Sequence, residues 1–239
     1  RSAKPMRLVS WNCYRGECRQ RAARLSSMRP DIAVLQECGP PAEAADSQCV
    51  WFGSLPTKGV GIVAQRPWSV EPGPVDPAVP DSAYPIRVQG PLRFHMLAIW
   101  AQQRPTYVRA VLDALGRYRE FLLSAPALVI GDFNSHPRWD ARDPEANHAV
   151  LTRVLRDDFG LVSAYHAMPS GGSEEATLYW RWQEGQPFHI DYCFVPENWV
   201  HLLRQVKVGG YAEWATESDH RPLSVELAAA EPSDAADSR

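Results

Sequence analysis

The chain is punctuated by short, continuous apolar runs that each stop on a polar side chain. Leu8-Val9-Ser10-Trp11 closes on Asn12, Ile32-Ala33-Val34-Leu35 on Gln36-Glu37, and Ala127-Leu128-Val129-Ile130 on Gly131-Asp132-Phe133-Asn134. Runs without polar alternation belong to strands covered on both faces, whereas a half-exposed strand alternates. Sheets of this kind need further layers outside them. Residues 58–64, 92–100, 177–182, 189–195, 203–208 and 223–227 read as additional strands.

Eight prolines between Pro56 and Pro91 leave little room for helix in that region. Helices are expected elsewhere. One covers residues 19–28 and stops before Pro30. A second, over 106–123, places Val108, Val111, Leu112, Leu115, Tyr118 and Leu122 at helical spacing, with Thr106 as N-cap. A third covers 146–158 and ends near Gly160. Strands outnumber helices, which predicts mixed sheets with helices outside them, an α/β arrangement. No linker divides the chain, so one domain is expected over 1–228. The small, polar stretch 229–239 is expected to be a disordered tail.

Composition narrows the function classes. With 45% hydrophobic and 22% charged residues, the chain can bury a core. Its longest uncharged, mostly apolar stretch, 121–131, is interrupted by Pro126 and is shorter than the roughly 18 residues a membrane helix needs. No membrane insertion is expected. Residues 1–5 have no apolar run like a signal peptide, and the cysteines read as free thiols of a reducing compartment, so cytoplasmic location is the expectation. A net charge of −3 argues against a protein that coats nucleic acid by bulk electrostatics, but not against an enzyme that touches a few phosphates. Five cysteines, an odd count without a CxxC pair, are expected to be free, buried thiols.

The polar strand ends carry the chemistry. Asn12, Gln36-Glu37, Asp132-Phe133-Asn134, His189-Ile190-Asp191-Tyr192 and Ser218-Asp219-His220 each follow or open an apolar run. Strand ends are where distant parts of a chain converge on a pocket. Converged carboxylates repel one another and call for a cation, and hard oxygen donors select Mg²⁺, Mn²⁺ or Ca²⁺. A histidine beside a carboxylate is held in one tautomer with its cation stabilised. Amide donors stabilise negative charge that develops on phosphoryl oxygens. A metal, a prepared water and amide donors together describe phosphate-ester hydrolysis.

In this order, over residues 12–220, these segments resemble the endonuclease/exonuclease/phosphatase superfamily, in particular its exonuclease III-like branch. The resemblance implies a DNase I-like, four-layer α/β sandwich: two packed mixed sheets with helices outside and the site at one edge. It makes Glu37 the principal metal ligand, with Asn12 and Asp219 beside it, and Mg²⁺ or Mn²⁺ the cofactor. It has Asp132 orient or deprotonate the attacking water, Asn134 donate to the phosphate, and Asp191 pair with His220, which contacts the phosphate or acts as acid/base. The chain departs from the family at Trp100, where a histidine or tyrosine usually stands. Tyr107 is the nearby candidate to replace it.

On the substrate side, the resemblance places Leu178, Phe188 and Ile190 at an apolar slot for a sugar. Trp180 and Trp182, read as strand residues, would face one way and offer stacking surfaces. Arg15, at the head of an arginine-rich segment, and Arg138 are placed to reach phosphates. His136, His148 and His166 have no zinc-type spacing and read as surface or groove residues. The expectation is a metal-dependent phosphoesterase of the EC 3.1 type, first a DNA endonuclease or exonuclease. The alternatives are a phosphatase or phosphodiesterase for a small or lipid phosphate and, more remotely, a non-catalytic binding module. A monomer without an obligate protein partner is expected.

Overall fold

The computed structural model describes residues 4–43, 46, 48–79, 82–169 and 172–228. The tail expected at 229–239 lies outside the described residues. Among the described residues there are fourteen strands: β1 (Met6–Asn12), β2 (Ile32–Cys38), β3 (Cys49–Leu55), β4 (Lys58–Ala64), β5 (Ser69–Pro72), β6 (Ala83–Gln89), β7 (Phe94–Trp100), β8 (Ala127–Asp132), β9 (Leu161–Ser163), β10 (Leu178–Tyr179), β11 (Pro187–Phe188), β12 (Asp191–Pro196), β13 (Leu203–Val208) and β14 (Leu223–Leu227). One six-stranded sheet runs β13-β14-β1-β2-β4-β3 and the other β5-β6-β7-β8-β12-β9; β10 and β11 form a separate ribbon. Pairing is antiparallel except for β1 with β2 and β7 with β8, so both large sheets are mixed.

The alternation of buried side chains explains the unbroken apolar runs. In β1, Leu8 enters the core between the sheets while Val9 and Trp11 face outward. In β7, Met96 and Ala98 face the inter-sheet core, and Leu97 and Ile99 the other side. The outer face of one sheet is covered by α1 (Cys18–Arg24), through Cys18 and Ala22. The other is covered by α2 (Tyr107–Arg117), through Val111 and Leu115, and by Leu151 and Leu155 of the helix His148–Phe159. These layers form the four-layer α/β sandwich.

Local signals set the helix boundaries. The Thr106 hydroxyl accepts from Arg109 N, which starts α2 as the N-cap reading requires. The expected helix is interrupted at Tyr118, and α3 (Arg119–Leu123) follows as a separate short element. The helix His148–Phe159 comes after it in the chain, as α4, and ends on Gly160 at φ 64°, a left-handed position that glycine adopts without cost. The first helix is shorter than the sequence suggests, because residues 25–28 tighten into a 3-10 turn. All five cysteines are free and buried. No helix among the described residues is long and apolar enough to cross a membrane.

One strand reading is corrected. Residues 177–182 form a strand only at Leu178–Tyr179; Trp180–Trp182 is a 3-10 turn in which Arg181 and Trp182 have φ of 53° and 59°. Trp180 and Trp182 therefore do not line up on one strand face. The glycine and proline of 185–187 close the β10–β11 ribbon too early for a longer strand.

Candidate functional site

The polar strand ends meet at one edge of the sandwich. Asn12 ends β1 beside Gln36 of the parallel β2, and one residue further β2 presents Glu37. A register shift opposite β4, between Gln36 and Cys38, gives Glu37 a φ of 61°. A bulge of this kind re-aims a side chain out of the ladder. In the other sheet, Asp132 ends β8 directly opposite Asp191, the first residue of the antiparallel β12. Like charges facing each other across a ladder are unfavourable, so their surroundings must supply positive charge.

His220 supplies it. Its Nδ1 lies 2.9 Å from Asp191 Oδ2, and its Nε2 lies 3.9 Å from Asp132 Oδ2. All three are buried. Burial opposes the His220 cation, but Asp191, Asp132 and Asp219 outweigh it and push the imidazole up to about 10. Burial and the Asp191 charge raise Asp132 to about 7, against the opposing pull of His220, Asn12 and the Asn134 N–H. Asp219 is raised by burial first, and the field of Glu37 adds to it.

Amide groups tie the carboxylates together. Asn12 Nδ2 donates to Asp132 Oδ2 at 3.0 Å and to Glu37 Oε1 at 3.2 Å, linking the two sheets. Asn134, at φ 46°, donates its backbone N–H to Asp132 Oδ1 at 2.9 Å and its Nδ2 to Oδ2 at 3.2 Å. The left-handed conformation is uncommon outside glycine, and asparagine is one of the few residues that tolerates it.

Four further residues shape the site, and the sequence alone assigns none of them a role. Lys58, opening β4, places Nζ 2.5 Å from Glu37 Oε2. The Thr177 hydroxyl accepts from the backbone N–H of Ile190 and Asp191, fixing the start of β12. Ser218 Oγ donates to Asn12 O and accepts from His220 N, pinning the final loop to β1. Arg221 is buried between the rings of Tyr179 and Tyr211, and its Nη1 donates to the carbonyls of Ser218 and His220. Ser218, next to Asp219 and His220, is the one of these that the sequence brings into view.

The remaining expected residues divide between core and rim. Trp100 stands opposite Asp132 in the parallel β7–β8 register, but its indole is buried in the inter-sheet core below the rim. Tyr107 is 36% exposed, and its phenol is raised first by burial and then by the charges of Asp132 and Glu37, so it faces the rim. Arg15 is exposed and stacks over Tyr14, whose ring meets Trp182 edge-on. Trp180 is 48% exposed. Leu178 and Ile190 are buried, whereas Phe188 is half-buried against His136 and Trp139 with Arg138 over its ring. Of the other arginines in the first segment, Arg21 and Arg24 are paired with Glu217, and Arg19 with Asp46.

The donor set fits a divalent cation at the rim. Asp132, Asp191 and His220 offer ligand atoms that all lie within 4.8 Å of one another. A protonated His220 has no lone pair to give, however, and the three surrounding carboxylates favour that protonated state. The Lys58 ammonium resting on Glu37 shows where else the rim accepts positive charge. Asp191 Oδ1 is buried without a hydrogen-bond partner, which leaves an acceptor for a further donor or cation.

A two-sheet sandwich with carboxylates, amides and a histidine at one edge defines a phosphoester hydrolase. The Endonuclease/Exonuclease/phosphatase family profile matches residues 9–220, and the chain belongs to that family. A search of curated proteins finds no match. Among solved structures, the fold is similar to the endonuclease domain of TRAS1, a telomere-specific non-LTR retrotransposon, at TM-score 0.67 and 16% identity, covering 95% of this chain and 100% of that one. It is also similar to the 3′ phosphatase NExo from Neisseria bound to a product DNA hairpin, at TM-score 0.66 and 23% identity, covering 93% and 99%. An AP endonuclease from Archaeoglobus fulgidus gives TM-score 0.63 and 16% identity over 93% and 99%.

Proposed function

We propose that the protein is a divalent-metal-dependent phosphodiesterase acting on DNA, cutting by in-line attack of water. The observation that carries this reading is one rim in which two hydrogen-bonded groups, Glu37–Asn12–Asp132–Asn134 and Asp191–His220, meet where His220 Nε2 comes within 3.9 Å of Asp132 Oδ2. Glu37, with Asn12 and Asp219, would hold a Mg²⁺ or Mn²⁺ ion in place of the Lys58 ammonium, and the ion would neutralise charge on the phosphoryl oxygens. Asp132 orients the water and takes its proton. Asn134 holds Asp132 and donates to the phosphate as charge builds. Asp191 keeps His220 protonated and oriented, so that Nε2 donates to the phosphate. Tyr107 offers its phenolic proton to the leaving oxygen, since the Trp100 indole lies in the core.

DNA is supported by the exposed Trp180 and Trp182, the exposed Arg15 and Arg138, and the DNA hairpin held by the Neisseria relative. A single domain acting as a monomer is sufficient for this reading. The net charge of −3 favours a second one, hydrolysis of a small or lipid phosphate. Incubation of the purified chain with labelled duplex, abasic duplex, single strands and 3′-phosphorylated hairpins, with Mg²⁺ or EDTA, tests the first reading. Metal-dependent cleavage of at least one is expected. Inertness toward all of them, with phosphate release from inositol phosphates or nucleotides, selects the second.

A further inference from the structure

Four of the five buried cysteines gather on the outer face of the sheet that carries Glu37, beneath α1. Cys18 opens α1, Cys13 follows Asn12, Cys38 follows Glu37 and Cys49 opens β3. Gly61 of β4 leaves the space into which Cys18 sinks. A Cβ at that position would stand 2.6 Å from Cys18 Cβ and 2.9 Å from Cys38 Sγ. The four thiols are not equivalent. Cys13 donates to Gln36 O at 3.3 Å and Cys38 to Leu35 O at 3.5 Å, which ties each to a carbonyl of β2. Cys18 and Cys49 instead meet each other, with their sulfurs 3.5 Å apart.

The surroundings of this pair favour a thiolate on Cys18. Its contacts with the thiols of Cys38 and then Cys49, helped by the Arg19 charge, hold it well below the ordinary thiol range against the opposing effect of burial. Cys49 moves the other way, raised by its contact with Cys18 and by burial, so it is the partner that keeps its proton. Arg19 Nε is buried without a hydrogen-bond partner, a donor left for charge on these sulfurs. The Nη2 of the same residue lies 3.2 Å from Asp46 Oδ1, and Asp46 exchanges backbone hydrogen bonds of 3.0 and 3.1 Å with Cys49. This ion pair joins the Cys18 and Cys49 segments on the solvent side. A thiolate touching a protonated thiol is the arrangement in which a sulfenic acid is resolved as a disulfide.

We propose that Cys18 and Cys49 form a reversible disulfide on exposure to a hydroperoxide, cross-linking α1 to β3. Both sulfurs are fully buried, so the oxidant is a small one. The Cys18 sulfur attacks one peroxide oxygen: an S–O bond forms, the O–O bond breaks, and the departing alkoxide or hydroxide takes up the proton that Cys18 released. Cys49 then attacks the Cys18 sulfenic acid: the S–S bond forms, the S–O bond breaks, and hydroxide leaves as water with the Cys49 proton. Two thiols lose two electrons, and the peroxide is reduced to an alcohol or water. A disulfide spans about 2.05 Å, so the sulfurs close by about 1.5 Å, a movement that side-chain rotation supplies. The closed loop, residues 18–49, contains all of β2 and with it Glu37. The bridge would restrain the strand that presents Glu37, and its formation is independent of the phosphodiesterase reading.

The test treats the reduced full chain with hydrogen peroxide, removes the excess with catalase, alkylates in denaturant and maps the peptides by mass spectrometry. Cleavage after Glu43 separates Cys38 from Cys49. Free thiols are expected to fall from five to three, with one linked peptide pair joining Cys18 to Cys49, and dithiothreitol should restore all five. Cys49→Ser should stop at a Cys18 sulfenic acid that dimedone traps, whereas Cys18→Ser should lose none of its four thiols. Should neither variant fold, the wild-type peptide map decides alone. Five free thiols after peroxide, a bridge that joins Cys13 or Cys38 to either residue, or a bridge between two chains would overturn the proposal.

Discussion

Asp132 and His220 face each other across 3.9 Å, and their protonation sets the pH behaviour of the site. Asp132, raised to about 7, loses its proton on going from acid to neutral pH, whereas His220 keeps its own until about 10. Hydrolysis is expected to rise through about 7 and to fall toward 10; a bound cation moves the acid limb lower by favouring the carboxylate. His220→Gln should leave only the higher alkaline limb of Tyr107 and cut the rate by roughly 10²–10³-fold, the usual range for a lost donor to developing negative charge. A pH–rate profile of the two proteins checks this. The same histidine has a stability consequence. Its folded value lies above the unfolded one of about 6.5, so its contribution is full below that pH and is lost as pH rises through the folded value. Wild-type unfolding free energy should therefore decline between neutral pH and about 10, and His220→Gln should flatten that decline. Gly131 is a residue-scale constraint of another kind. At φ 144° its position would drive a Cβ into the Ile99 carbonyl, so Gly131→Ala should lower the melting temperature and displace Asp132.

At the scale of elements, the site depends on how strands end. The β1, β2 and β8 ends are legible in the sequence because each apolar run stops abruptly at a polar residue, and covered sheets leave no other reason for that pattern. The residues that hold those ends are less legible. Thr177 acts through its hydroxyl on a segment fourteen residues away, and Ser218 joins β1 from the far end of the chain. Such contacts leave no local periodicity. Residues 177–182 read as a strand because Tyr-Trp-Arg-Trp has strong strand propensity, which the tight 3-10 turn overrides. The packing of His148, His166 and His189 around the Tyr192 ring, where the sequence suggested separate surface or groove histidines, escapes a sequence reading for the same reason as Thr177: they lie on separate elements. Thr177→Val leaves the N–H groups of Ile190 and Asp191 without their acceptor, an expected loss of about 1–3 kcal/mol per buried group. Denaturant unfolding of that variant measures it, and a loss of activity exceeding the loss of stability would mark displacement of Asp191.

For the whole molecule, the two sheets are joined at the rim by Asn12, which bridges Glu37 of one and Asp132 of the other. A cation bound there binds only the folded chain, so it must raise stability in proportion to its occupancy. Mg²⁺ or Mn²⁺ should raise the melting temperature of the wild type, and the rise should shrink in Glu37→Gln. The most direct measurement of the central claim is hydrolysis of a simple phosphodiester, bis(p-nitrophenyl) phosphate, by wild type, Glu37→Gln and Asp132→Asn in Mn²⁺, with folding checked by circular dichroism. A rim that works as one unit predicts metal-dependent release of nitrophenolate by the wild type and a loss of roughly 10²-fold or more in each folded variant. Equal rates in all three proteins, or a rate indifferent to EDTA, would contradict it.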